Sequence, residues 1–127
     1  MTKLKSYLCG EWLEGEGEGE ALLNPATEDT LAHSSADGLD RKRALDFARI
    51  EGGPALRALT FKQRAELIQK TAALLQKNRD ELIGLAMSNG GNTRSDAKFD
   101  VDGAIATLQA FAETGMALGD RKILVDG

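Results

Sequence analysis

One cysteine and one histidine among 127 residues remove two classes of function at the outset. No intramolecular disulfide framework can form, and a four-ligand zinc site cannot be assembled from Cys9 and His33 alone. Long apolar runs are missing too, since none approaches the roughly 18 residues that a membrane span needs. The opening Met1-Thr2-Lys3-Leu4-Lys5 leads into polar sequence rather than the apolar stretch of a signal peptide. The expected compartment is the cytoplasm. A positive excess is also lacking. The net charge is −4, and the run Glu14-Gly-Glu-Gly-Glu-Gly-Glu20 accounts for it, because acids and bases balance elsewhere. Without a one-sided basic face the chain is expected to take neither a nucleic acid nor a membrane as partner. What is present, 42% hydrophobic residues in a chain of one-domain length, suffices for a core.

The pattern changes near residue 36. Residues 6–35 read as a β-hairpin or small meander: Tyr7-Leu8-Cys9 and Glu11-Trp12-Leu13 flank Gly10, and Asn24-Pro25-Ala26-Thr27-Glu28-Asp29 marks a turn. The Glu/Gly run is expected to be a mobile, solvated tip, given glycine entropy and four like charges. Residues 37–117 read as helical. A first helix is predicted over Leu39 to Ile50, burying Leu39, Leu45 and Ala48 and stopped by Glu51-Gly52-Gly53-Pro54. Thr60-Phe61-Lys62-Gln63 fits a capping box, after which Phe61, Ala65, Ile68, Ala72 and Leu75 recur at the spacing of one buried face. Asn78-Arg79-Asp80-Glu81 repeats the capping pattern ahead of Leu82, Ile83, Leu85 and Ala86, and Asn89-Gly90-Gly91 ends that helix. A fourth helix is predicted from a Ser95 cap, with the stripe Val101, Ile105, Leu108, Phe111/Ala112 and Met116, ending within Gly115 to Gly119. Ile123-Leu124-Val125 reads as the start of a strand.

No active site emerges from these residues. Cys9 lies in a strand-like stretch with no neighbouring cation in register to favour its thiolate, so it reads as a small packed residue. His33 has no second histidine at ligand spacing and reads as half-exposed. Gly15, Gly17 and Gly19 alternate strictly and are interleaved with carboxylates, unlike a phosphate loop. Asp100 and Asp102 lie two apart on a helix and diverge. Asp96, Asp100 and Glu113 read as a solvated face, and Arg41-Lys42-Arg43 as surface. Local chemistry therefore gives no catalytic residue, no cofactor-binding residue and no metal ligand.

The order of segments nevertheless resembles a known family. Tyr7-Leu8-Cys9-Gly10-Glu11-Trp12 followed by Asn24-Pro25-Ala26-Thr27-Glu28 is similar to the opening of the aldehyde dehydrogenases, whose turn reads Asn-Pro-[Ala/Ser]-Thr-Gly-Glu; here the glycine of that turn is missing. The Arg64-containing Arg-x-x-Leu/Ile helix, the Leu82 helix and the Asp100-to-Ala112 helix also follow in family order. Two stretches narrow the match: Glu51-Gly52-Gly53-Pro54-Ala55-Leu56-Arg57-Ala58-Leu59-Thr60-Phe61, and Asn92 through Ile105. Both resemble members that oxidise semialdehydes carried on coenzyme A, in the bifunctional ring-opening protein of bacterial phenylacetate degradation or in benzoyl-CoA oxidation, with phenylacetate slightly ahead.

The resemblance implies an α/β parent fold. Residues 1–127 would be the incomplete N-terminal part of its cofactor-binding domain, namely a β-hairpin or meander followed by about four helices. It implies oxidation of a CoA-linked aldehyde by NADP or NAD, through a cysteine thiolate and a glutamate-activated water that lie downstream of this sequence in the family. For these 127 residues alone, no bound cofactor and no activity are expected. In the family, the helix matching Asp100–Ala112 lines the substrate entrance, and the tunnel positions fall on Phe99 and Gly103. A glycine at 103 implies a wide passage for an acyl-CoA thioester; the other reading of Gly103 is close helix packing. The family also implies a homo-oligomer, or association with the missing remainder. A different class of function stays open beside this one, a stand-alone helical interaction or regulatory module without chemistry.

Overall fold

A computed structural model describes residues 2–125. The N-terminal region is a strand meander of two antiparallel hairpins, as the hairpin-or-meander reading allows. In the first, β1 (Lys5–Leu8) pairs with β2 (Glu11–Glu14), placing Tyr7 opposite Trp12. Their rings lie 5.1 Å apart. Cys9 and Gly10 form the connecting turn with φ of 53° and 86°, the pair of positive values that a tight hairpin turn demands. Cys9 is thus a half-exposed corner residue and not a packed one.

In the second hairpin, β3 (Glu20–Leu23) pairs with β4 (Thr30–Ser34), with an irregularity at Leu22/Leu23. Its loop is organised by Asn24, whose Oδ1 accepts the Ala26 N–H at 2.9 Å, an Asx turn. Glu28 takes φ 63° in this loop, at the position where the resembled turn carries glycine. The Glu/Gly run links β2 to β3 and is not a free tip. Gly15 is buried. A Cβ on Gly15 or Gly19 would fall 2.2 or 2.4 Å from a backbone oxygen of Ser35 or Ser34. Lys3 Nζ donates to the carbonyls of Gly15 and Gly17. Close backbone approach, which only glycine permits, fastens the segment despite its charge.

The first helical segment also differs from expectation. α1 (Arg41–Phe47), capped by Asp40 Oδ1 accepting the Arg43 N–H at 2.8 Å, runs through a π turn (Ala48–Gly52) into α2 (Gly53–Ala58). Gly52 and Gly53 adopt helical angles. Pro54 falls in the first turn of α2, where an N–H would be spare in any case. The segment buries no residue fully, and Leu45, Phe47, Ile50 and Leu56 are exposed. Leu45 and Ala48 are therefore not core residues.

Three helices follow: α3 (Phe61–Lys77), α4 (Arg79–Gly90) and α5 (Arg94–Leu118). The capping box forms as predicted, with Thr60 N–H to Gln63 Oε1 at 2.9 Å and Gln63 N–H to Thr60 Oγ1 at 3.2 Å. Asn78 alone separates α3 from α4 and gives α4 no side-chain cap; its Nδ2 donates back to Leu74 O. Gly91, at φ 67°, ends α4 as expected. Thr93, not Ser95, caps α5, accepting the Asp96 N–H at 3.2 Å. The buried residues are mostly small: Ala65 and Ala72 on α3, Ala97 and Ala112 on α5, with Ile83 and Ile105 the large ones. Phe111 is exposed, so the stripe turns on Ala112. α3 packs along α5, and a Cβ on Gly115 would fall 2.9 Å from Ala65 Cβ. Small residues let the backbones come close. Ile123-Leu124-Val125 forms no strand.

Candidate functional site

Phe99 and Gly103 sit one turn apart on α5, on a face turned away from the packed side where Ala97, Ile105 and Ala112 lie. Spacing of four brings two side chains onto one helix face. Phe99 is 80% exposed. A Cβ on Gly103 would meet nothing within 4 Å, so among the described residues Gly103 does not serve close helix packing. The pair therefore forms an open surface, a large ring beside a gap.

The acidic residues around it are committed to holding the helix. Thr93 Oγ1 donates to Asp96 Oδ2 at 2.7 Å and Asn92 Nδ2 to Asp100 Oδ2 at 3.2 Å. Asp102 takes a two-pronged bond from Arg79 of α4, Nε at 2.5 Å and Nη2 at 2.7 Å. Hydrogen bonding by this guanidinium, with its charge, holds the Asp102 carboxyl below the ordinary carboxylate range and raises the arginine in turn. Asp100 and Asp102 thus engage different partners, as their spacing implied. Glu113 is exposed. Nothing here pairs a proton donor with a proton acceptor for general acid–base work.

The other concave surfaces are of mixed character. A cavity of about 690 Å³ lies between the second hairpin and α4, walled by Leu4, Leu22, Leu31, Ala32, Leu85 and Ala86. A groove along α3 and α5 is lined by Gln69, Ala72, Ala73, Gln76, Gln109 and Glu113. His33 stands half-buried on β4, where its main chain pairs with Thr2 and Leu4, and its surroundings hold Lys3 and Glu18. Cys9 Sγ lies 3.8 Å from Arg43 O. Among the described residues no group of three His, Cys, Asp or Glu side chains converges as a metal site, and no helix is long and apolar enough to cross a membrane.

At the alternating glycines the described residues leave no room for a pyrophosphate. Gly15 and Gly19 are closed against Ser34 and Ser35 rather than open to a phosphate. The N-terminus of α3 is occupied by main-chain carbonyls and Thr60, and that of α5 by Thr93. The site the sequence missed is the Arg79–Asp102 clamp between α4 and α5. Its partners lie 23 positions apart on different helices, so no local spacing rule could announce it.

Comparison with known proteins now carries more than local chemistry. The aldehyde dehydrogenase family profile matches residues 12–126. A 3,4-dehydroadipyl-CoA semialdehyde dehydrogenase of Aromatoleum evansii is 48% identical over 98% of this chain and 24% of its own length. A succinate-semialdehyde dehydrogenase [NADP(+)] of Escherichia coli (strain K12) is 35% identical over 91% of the chain and 24% of its own. A NAD-dependent benzaldehyde dehydrogenase from Corynebacterium glutamicum superposes with a TM-score of 0.78, at 23% identity, over 88% of this chain and 25% of that one. The chain spans about a quarter of the length of these relatives.

Proposed function

Because the chain belongs to the aldehyde dehydrogenase family, we propose that it is the N-terminal portion of an NAD(P)-dependent enzyme oxidising a CoA-linked semialdehyde to the acid. Residues 1–127 are then an incomplete part of the cofactor domain of an α/β parent, comprising the hairpin region 6–35 and the helical region 37–117. The observation that carries this reading is the 48% identity, sustained over 98% of the chain, to a dehydrogenase of a CoA-linked semialdehyde. That relative makes 3,4-dehydroadipyl-CoA semialdehyde a better-supported substrate than one of phenylacetate breakdown. The parent would use NADP or NAD, bound by residues beyond those described, and would work in the cytoplasm as a homo-oligomer. Alone, these 127 residues should be inactive, since the described residues bring Cys9 together with no base.

Phe99 and Gly103 are proposed as tunnel positions. The open space at Gly103 supports a passage wide enough for an acyl-CoA thioester. In a polypeptide extended to the relatives' length, Gly103→Met should raise KM for the CoA-linked aldehyde more than for a short free aldehyde. Equal effects on both would overturn the tunnel assignment. The wider reading rests on a simpler assay: the extended protein should reduce NADP or NAD with a CoA-linked semialdehyde faster than with free succinate semialdehyde. The reverse preference would discard the CoA-linked substrate. Activity from the 127 residues alone would discard the view that they are only a portion.

A further inference from the structure

We infer that Gly119–Lys122 is a strap latched across the N-terminus of α3 by Arg64, and that it opens and closes without unfolding the α3–α5 pair. A helix leaves its first N–H groups without internal partners. In α3 the Phe61 N–H donates to Arg121 O at 2.8 Å and the Lys62 N–H to Gly119 O at 2.9 Å. The Gln63 and Thr60 N–H groups are served locally, each by the other residue's side chain. Half of the cap of α3 is thus supplied by main chain that follows α5.

Arg64 is placed to hold that main chain. Its Nη2 donates to Leu59 O at 3.0 Å, before α3, and to Lys122 O at 2.7 Å, 58 residues later. The guanidinium carbon lies 4.6 Å from the Phe61 ring centroid. No carboxylate among the described residues pairs with Arg64, and its Nε is buried without an acceptor. An arginine with a buried donor left over is engaged for the carbonyls it bridges rather than for charge pairing.

The strap itself is lightly anchored. Residues 120–125 are exposed, so main-chain hydrogen bonds hold it rather than buried side chains, the mark of a low-energy local opening. Gly119 takes φ 67° and ψ −140°, a combination open essentially to glycine alone. Closing the strap fixes the direction in which Ile123-Leu124-Val125 leave α5; opening frees them. This inference does not depend on the proposed enzymatic role.

Amide hydrogen exchange on the 127-residue chain tests it. Arg64→Lys keeps the charge but is shorter and lacks the planar guanidinium whose Nη2 reaches both carbonyls beside the Phe61 ring. It should speed exchange at Phe61 and Lys62 about tenfold, the ratio that roughly one lost hydrogen bond implies, and leave Gln63 and Ile105 unchanged. Gly119→Ala meets no steric obstacle and acts through backbone strain alone, so it should accelerate the same two amides. Unaltered Phe61 and Lys62 exchange in both variants overturns the latch. Equal acceleration at Ile105 overturns it too, by making Arg64 a support of the helix pair. If Arg64→Lys does not fold, Gly119→Ala decides alone.

Discussion

The α3–α5 pair and the Arg41–Ala58 segment are both helical, yet they spend their apolar residues in opposite ways. Between α3 and α5 the buried residues are small, Ala65, Ala72 and Ala112, and Gly115 comes against Ala65 and the Phe61 carbonyl. The helices meet backbone to backbone. The Arg41–Ala58 segment instead turns Leu45, Phe47, Ile50 and Leu56 outward and packs mainly on itself. An apolar stripe therefore reports that a helix has a face to bury. It does not report whether the partner lies within the same 127 residues. Where the neighbours are small, few side chains suffice to order two helices; where they are large, an unsupplied partner leaves them in solvent.

The sharpest way to break this contrast is to overfill the tight pair. Ala112→Leu inserts a branched side chain at a fully buried position and should destabilise the chain by about 1–3 kcal/mol, read from urea unfolding. Tolerance without loss would mean that the pair is as loosely packed as the first segment.

A smaller effect distinguishes how the two regions use charge. Asp102 joins α5 to α4 through Arg79, whereas Lys42 and Asp46 pair within α1. Arg79 holds the Asp102 carboxyl low, so its contribution is fully present above the ordinary carboxylate pKa and is lost as pH falls through the lowered value. The stability advantage of the native chain over Asp102→Asn should shrink below about pH 4. Because the pair is solvent-exposed, this loss should be slighter than that from overpacking. A pH-independent difference would show that the clamp contributes packing alone.

Least of all should follow from trimming the first segment. Leu56→Ala removes a side chain that is 54% exposed and should change stability by less than about 0.5 kcal/mol in the 127-residue chain. A loss comparable to that of Ala112→Leu would erase the contrast and place Leu56 in a core.

Features settled within a few residues were legible in the sequence. The Thr60–Gln63 capping box, the Gly91 stop and the Asn24 turn each need only neighbours along the chain. So did the family, carried by the order of segments across nearly the whole chain. Near misses came where two local answers competed. Ser95 and Thr93 can each cap a helix, and the choice depends on where the turn after Gly91 lets α5 begin. Gly52-Gly53-Pro54 reads as a stop, yet a π turn carries the helix through because the glycines accept helical angles and Pro54 needs no donor there. The Glu/Gly run reads as mobile from its composition; Lys3 and the Ser34–Ser35 backbone hold it from a distance.

The candidate site divides along the same line. That Phe99 and Gly103 share a helix face follows from their spacing of four, but the empty space over Gly103 depends on which elements pack beside α5. Arg64 reaching Lys122 and Arg79 reaching Asp102 likewise depend on how the helices lie together. Sequence by itself determined the strand-rich opening, the three long helices and the family, because propensity, capping and segment order act along the chain. Tertiary structure alone decided which faces are covered and which charges meet, because packing joins residues whose separation in sequence carries no signal of their distance in space.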